Sequence, residues 1–96
     1  MYILAVHFSQ SPEMVAKEAE THSAWVKKYI DEGIFLAAGP KKSKLGGVIL
    51  VRSMDKKNLM KILEQDSYVK ADVAEYQIID IDCKLAAKDF EKLIGC

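Results

Sequence analysis

The chain has 96 residues, two histidines and 14 acidic side chains. An imidazole is the group that gives and takes protons near neutral pH, so the histidines come first. His22 falls in the apolar series Val15, Ala19, His22, Val26, Tyr29, Ile30, whose steps of three and four fit one face of a helix. A titratable ring facing a core needs a polar partner. Leu59, Ile62 and Leu63 form a second such series, and one step further the same spacing carries Asp66 to the inward side where that helix ends. A buried carboxylate costs several kcal/mol unless it is paired. Alone, His22 reads more readily as a satisfied core histidine and Asp66 as a helix-end turn residue. Two helices lying side by side would bring both into one seam. There a carboxylate on one ring nitrogen fixes the tautomer and raises the basicity of the other, which is the equipment of a general acid/base. No nucleophile stands at a recognisable spacing, so covalent hydrolysis is not supported.

Other side chains are candidates for binding a small molecule. His7 on the first strand reads as a second pocket residue or as a core or interface histidine. Trp25, Tyr29 and Tyr68 could line an aromatic-binding pocket or simply fill the core. Lys41, Lys42 and Lys44 could hold an anion at a rim, with Ser43 between them offering a hydroxyl; a solvated turn has the same composition. His7, His22, Asp66 and Cys83 lack metal-ligand spacing, so no metal is expected. Gly46-Gly47 opens a strand and lacks the phosphate-loop frame, and no other cofactor is expected.

The elements that must position these groups alternate along the chain. Residues 2–8 read as a strand. Ser11-Pro12-Glu13 starts a helix through a hydroxyl cap, a proline in the first turn and a carboxylate at the positive end of the dipole; the helix is expected from Pro12 to Glu32, with Gly33 as its stop. Ile34–Gly39 is a second strand closed by Pro40, and Gly46–Arg52 a third. Ser53 caps a helix over Met54–Gln65, Asp66–Asp72 is a turn or ragged helical turn, and Glu75–Cys83 is a fourth strand. Leu85–Ile94 makes a last helix with Ala86, Phe90, Leu93 and Ile94 on one face. The order β-α-β-β-α-β plus a C-terminal helix is the ferredoxin-like α+β pattern, with both main helices on one face of an antiparallel sheet. Tyr2, Leu4, Val6 and Phe8 alternate with Ile3, Ala5 and His7, and Val48 and Leu50 with Ile49 and Val51, so both sheet faces look apolar. A second subunit, sheet on sheet, is the expected cover of the face without helices; the C-terminal helix folding back is the other.

Composition narrows the function classes. Half the residues are hydrophobic and 29% charged, which suits a single globular domain over residues 1–96. The 14 basic and 14 acidic residues cancel, and the third strand carries no aromatic for base stacking, so nucleic acid is not an expected partner. No apolar run approaches a membrane span, and no signal-peptide pattern opens the chain. Two isolated cysteines, Cys83 and Cys96, fit a reducing cytoplasm.

Several pieces together resemble the YCII-related (YciI-like) family over nearly the whole chain. They are the first strand, the helical His22, Gly33 before an apolar strand, Ala38-Gly39-Pro40, Gly46-Gly47 opening a strand, and Asp66-Ser67-Tyr68-Val69-Lys70-Ala71. The resemblance implies a subunit of a dimeric α+β barrel with a His–Asp dyad, His22 and Asp66, in a pocket that Gly39 and Pro40 help to build. Relatives of this barrel class act on aromatic ring compounds by dehalogenation, isomerisation or oxygenation without a metal. The expected function is therefore proton transfer on a small organic substrate, of isomerase, lyase or dehalogenase type; a homodimeric ligand-binding or regulatory module is the alternative. The family usually has Asp-Pro where this chain has Asp66-Ser67, Ala-Gly where it has Ala71-Asp72, an Arg where it has Ala19, and a longer loop between Pro40 and Gly46.

Overall fold

A computed structural model describes residues 1–96. Four strands, β1 (Tyr2–Phe8), β2 (Phe35–Pro40), β3 (Gly46–Val51) and β4 (Ala74–Asp80), form one antiparallel sheet in the order β2-β3-β1-β4. The helices are α1 (Pro12–Ala16), α2 (Ala19–Asp31), α3 (Lys56–Leu63) and α4 (Ser67–Lys70). This is the ferredoxin-like architecture that the element order implied.

Register separates the two sheet faces. Tyr2, Leu4 and Val6 are buried on the face that carries the helices. Leu4 sits opposite Ile49 on one side and Ile78 on the other, so three strands feed one apolar layer. Trp25 and Tyr29 of α2 and Leu59 and Leu63 of α3 close over that layer with Phe35 and Val51. Burial of each such side chain is worth about 1.5–3 kcal/mol. On the opposite face Ile3, Ala5, Val48 and Leu50 are only half-buried, and Ile79 is exposed.

The expected long first helix is broken. Lys17 and Glu18 interrupt it, and the two pieces serve different clusters. Val15 of α1 joins Val6, Tyr68, Val73 and Ala74, whereas α2 covers the main core. A straight helix could not place both. The start reads as expected, with Ser11 Oγ accepting from the Met14 N–H at 3.3 Å. So does the stop. Gly33, at φ +74°, donates to the Ile30 carbonyl, and Ile34 N–H reaches back to Tyr29.

Other boundaries shift by local chemistry. Pro40 lies inside β2, where an edge strand tolerates its missing donor. Asp55, not Ser53, caps the second main helix, which is shorter than Met54–Gln65. The turn over Asp66–Asp72 is a short helix, α4, capped by the Asp66 carboxylate on the Tyr68 N–H. The fourth strand ends at Asp80 instead of Cys83. The last element is a 3-10 helix, Lys88–Leu93, with no buried residue; Leu85 and Phe90 are exposed. The face of Ala86, Phe90, Leu93 and Ile94 is thus not folded back over the open side of the sheet.

Gly46 pairs with His7 where β3 begins beside β1. A Cβ built there would stand 1.8 Å from the Val6 carbonyl oxygen, so no other residue fits. Asp72 ends α4 in the left-handed region, at φ 55°, with Val73 N–H returning to the Tyr68 carbonyl. Glycine usually fills that position. Asp72→Gly should therefore raise stability by about 0.5–1 kcal/mol, read as a higher midpoint in urea or thermal unfolding.

Candidate functional site

His22 and Asp66, 44 positions apart, are in direct contact: His22 Nδ1 lies 2.7 Å from Asp66 Oδ1. The Asp66 side chain is 0% exposed and that of His22 17%. Two further donors reach the carboxylate. The Tyr68 N–H donates to Oδ1 at 3.1 Å, and the Tyr76 hydroxyl donates to Oδ2. Every group converging on the two oxygens is placed to donate, an arrangement that fits an acceptor-only carboxylate. With the ring proton on Nδ1, the tautomer this arrangement favours, Nε2, which has no protein partner, keeps its lone pair.

The imidazole is fixed from several directions. Its ring stacks on Tyr68, centroids 3.9 Å apart and planes within 10°. Phe8 meets the same Tyr68 edge to face at 5.5 Å. The helix break holds the start of α2: the Glu18 carbonyl accepts from His22 N–H at 2.9 Å and from Ser67 Oγ at 3.0 Å. Ser67 thus ties the residue after Asp66 to the turn that carries His22, so both members of the pair share one anchor.

His22 borders a cleft of about 500 Å³ between α2 and the β1–β3–β2 side of the sheet. That size suits a small organic molecule. One wall comes from two rows of α2 at four-residue spacing: His22, Val26, Ile30 and Ser23, Lys27, Asp31. Val6, Phe8, Ile49 and Tyr68 form the floor and end, and Gly39, Pro40 and Gly47 the far edge. The surface is mostly apolar, and polar groups stand at His22 and at the rim. There Lys27 Nζ pairs with Asp31 at 3.2 Å in solvent.

The expected binding residues divide. Gly39, Pro40 and Tyr68 line the cleft with His22. Trp25 does not. It is buried in the core, its Nε1 donating to the Ile62 carbonyl at 3.1 Å, because three residues on from His22 it lies about 60° round α2. Tyr29 is likewise in the core, donating to Gln65 Oε1 at 2.6 Å. His7 is exposed on the opposite sheet face, where it borders a separate small depression with Lys41 and Glu75. Ser43 sits in the exposed hairpin turn and accepts from Leu45 N–H at 3.3 Å. Lys42 and Lys44 are exposed in the same turn and none of the three lysines lines the cleft. Phe8, Val26, Ile30 and Tyr76 were not expected at the site. Val26 and Ile30 stood in the His22 series and Phe8 on the strand face of Val6, but as packing residues; the i+4 row from His22 is what carries Val26 and Ile30 along the cleft.

Burial holds the Tyr76 phenol well above its ordinary value of 10.0, reinforced by the hydrogen bond to Asp66 and by that residue's charge. Burial and then Asp66 also raise Tyr68, and burial raises Tyr2, with smaller pushes from Asp80 and Asp55. In each case the unfolded chain loses its phenolic proton first. The corresponding stability is complete below about pH 10 and falls as pH climbs through the folded-state values. Urea unfolding followed from about pH 8 to about pH 12 should show this decline, and Tyr76→Phe should make its slope shallower.

Comparison with known proteins bears on this geometry. A solved structure of 5-chloro-2-hydroxyhydroquinone dehydrochlorinase (TftG) from Burkholderia phenoliruptrix AC1100, in complex with 2,5-dihydroxybenzoquinone, superimposes with a TM-score of 0.65 over 84% of this chain and 93% of that one. At 13% identity the likeness establishes a shared fold. No curated protein matches in sequence. The sequence profile of the YCII-related domain matches residues 1–82, which takes in all four strands, His22 and Asp66. The chain belongs to the YCII-related domain family.

Proposed function

We propose that the chain is a small-molecule enzyme in which His22 is the general base and acid and Asp66 its orienting partner. The observation that carries this reading is the Asp66–His22 contact at 2.7 Å with Nε2 unpaired beside a cleft of about 500 Å³. In the proposed cycle a bound substrate gives a proton to Nε2. The resulting imidazolium is stabilised by the buried carboxylate at Nδ1, and the proton is then returned to another atom of the substrate or to a leaving group. That sequence describes isomerisation, elimination or dehalogenation. The apolar walls and the Tyr68 ring favour a flat, uncharged body. The quinone held by the similar solved structure makes small oxygenated rings the first class to test. Phe8 and Tyr68 would then be packing surfaces, and Gly39 and Pro40 the edge that limits substrate size.

An activity screen against hydroxylated and halogenated ring compounds tests the proposal. His22→Ala and Asp66→Asn should each lower kcat/KM by about 10²–10⁴-fold. Turnover that survives both substitutions would remove the assignment. Selective thermal stabilisation by a compound that is never altered would favour a binding module instead.

We further propose a homodimer formed through the open sheet face. Its support is the half-buried apolar surface of Ile3, Ala5, Val48 and Leu50, where Ile3 and Leu50 face each other across the β1–β3 pair. Sedimentation should give twice the chain mass of 10.8 kDa. Leu50→Glu should reduce it to the monomer mass.

A further inference from the structure

Tyr76 does not line the cleft and would touch no guest there. Yet its hydroxyl is the one donor on Asp66 Oδ2, since His22 and the Tyr68 N–H both address Oδ1. Asp66 is fully buried, so water has no access to replace that donor. The hydroxyl next to Asp66 in the chain, Ser67 Oγ, is committed to the Glu18 carbonyl. The position is set by the fold: Tyr76 pairs with Val6 in the β1–β4 register and so faces the helices.

We infer that Tyr76 is a positioning residue that fixes which nitrogen of His22 is basic: by donating to Oδ2 it holds the Asp66 carboxylate against the ring, and the carboxylate holds the ring proton on Nδ1. The inference rests on the general-base reading of His22. An imidazole free in water prefers its proton on Nε2, so the tautomer required for a base at the cleft has to be imposed. Removing the phenol hydroxyl leaves a buried carboxylate oxygen unpaired, and the carboxylate is free to turn away from the ring toward another donor. Its hold on Nδ1–H is then lost, and the ring proton moves to Nε2. The nitrogen at the cleft has become a donor, and the base is lost without any change in the cleft wall. Burial and Asp66 keep the phenol itself protonated, so the donor persists throughout the neutral range.

Ring ¹⁵N shifts of His22, read by long-range ¹H–¹⁵N correlation at mildly alkaline pH where imidazoles are neutral, test this directly. The wild-type protein should show mostly the Nδ1–H form. Tyr76→Phe, with its amide spectrum otherwise preserved, should show mostly Nε2–H; a merely structural role for Tyr76 would lower stability and leave the tautomer alone. A Tyr76→Phe protein still in the Nδ1–H form overturns the role of Tyr76 while leaving the dyad intact. A wild-type ring in the Nε2–H form overturns the general-base reading and this role together. The unmutated protein gives a second readout that needs no folded variant. Its Tyr76 hydroxyl proton should resonate far downfield of the other tyrosine hydroxyls. A hydroxyl proton in the ordinary range would sink the proposal.

Discussion

A carboxylate with no access to water organises this molecule. Asp66 is the one fully buried ionisable side chain among the core residues, and its desolvation costs several kcal/mol. Three donors offset that cost, and each comes from a different element: the His22 ring from α2, the Tyr68 N–H from α4, the Tyr76 hydroxyl from β4. A hydrogen bond to a charged group is worth about 1.5–3 kcal/mol, so three are of the size the burial demands. The sheet, the long helix and the short one are consequently held to a common point. The chemistry proposed for His22 uses a contact that the fold needs in any case.

That constraint explains features that look unrelated. Beside the break at Lys17–Glu18, the Glu18 carbonyl accepts from Ser67 Oγ as well as from His22 N–H, and Ser67 directly follows the carboxylate. The family's usual proline after the acid would stiffen the same turn through its ring. Here a hydroxyl does so by a bond across 49 positions. Asp72, where the family often has glycine, occupies a backbone conformation that a side chain only tolerates. One departure is thus compensated by a new contact and the other is simply endured.

The order of elements, the two alternating sides of β1 and the meeting of His22 with Asp66 were legible in the sequence because each is written in local periodicity. Alternation in Tyr2–Phe8 and the i+3, i+4 series around His22 and Asp66 contain enough information once the topology sets the two helices side by side. The helix break was not legible. Lys17 and Glu18 are good helix formers, and the group that exploits the break is Ser67, far along the chain. The orientation of α2 was off by part of a turn. Trp25 and Tyr29 have the larger apolar surface and take the core, which rotates His22, Val26 and Ile30 to the flank. Tyr76 was hidden because nothing in its strand distinguishes a phenol that fills space from one that donates to a buried acid. The C-terminal apolar residues read as a helix by spacing alone, but spacing does not supply a surface to bury them against.

The two faces of the sheet divide the proposed tasks. Every donor on Asp66 and every wall of the cleft belongs to the helix-bearing side, apart from the β2–β3 edge that closes it. His7, Lys41 and Glu75 lie on the other side. Strand alternation makes this separation strict: a residue on β1 that faces Tyr76 and the helices cannot also face a second sheet. A partner packed on the open face would therefore act on the site through strand spacing and twist, without contributing a side chain to the imidazole. The groups proposed for proton transfer all lie within one chain, and the proposed pairing of two chains would serve mainly to remove apolar surface from water.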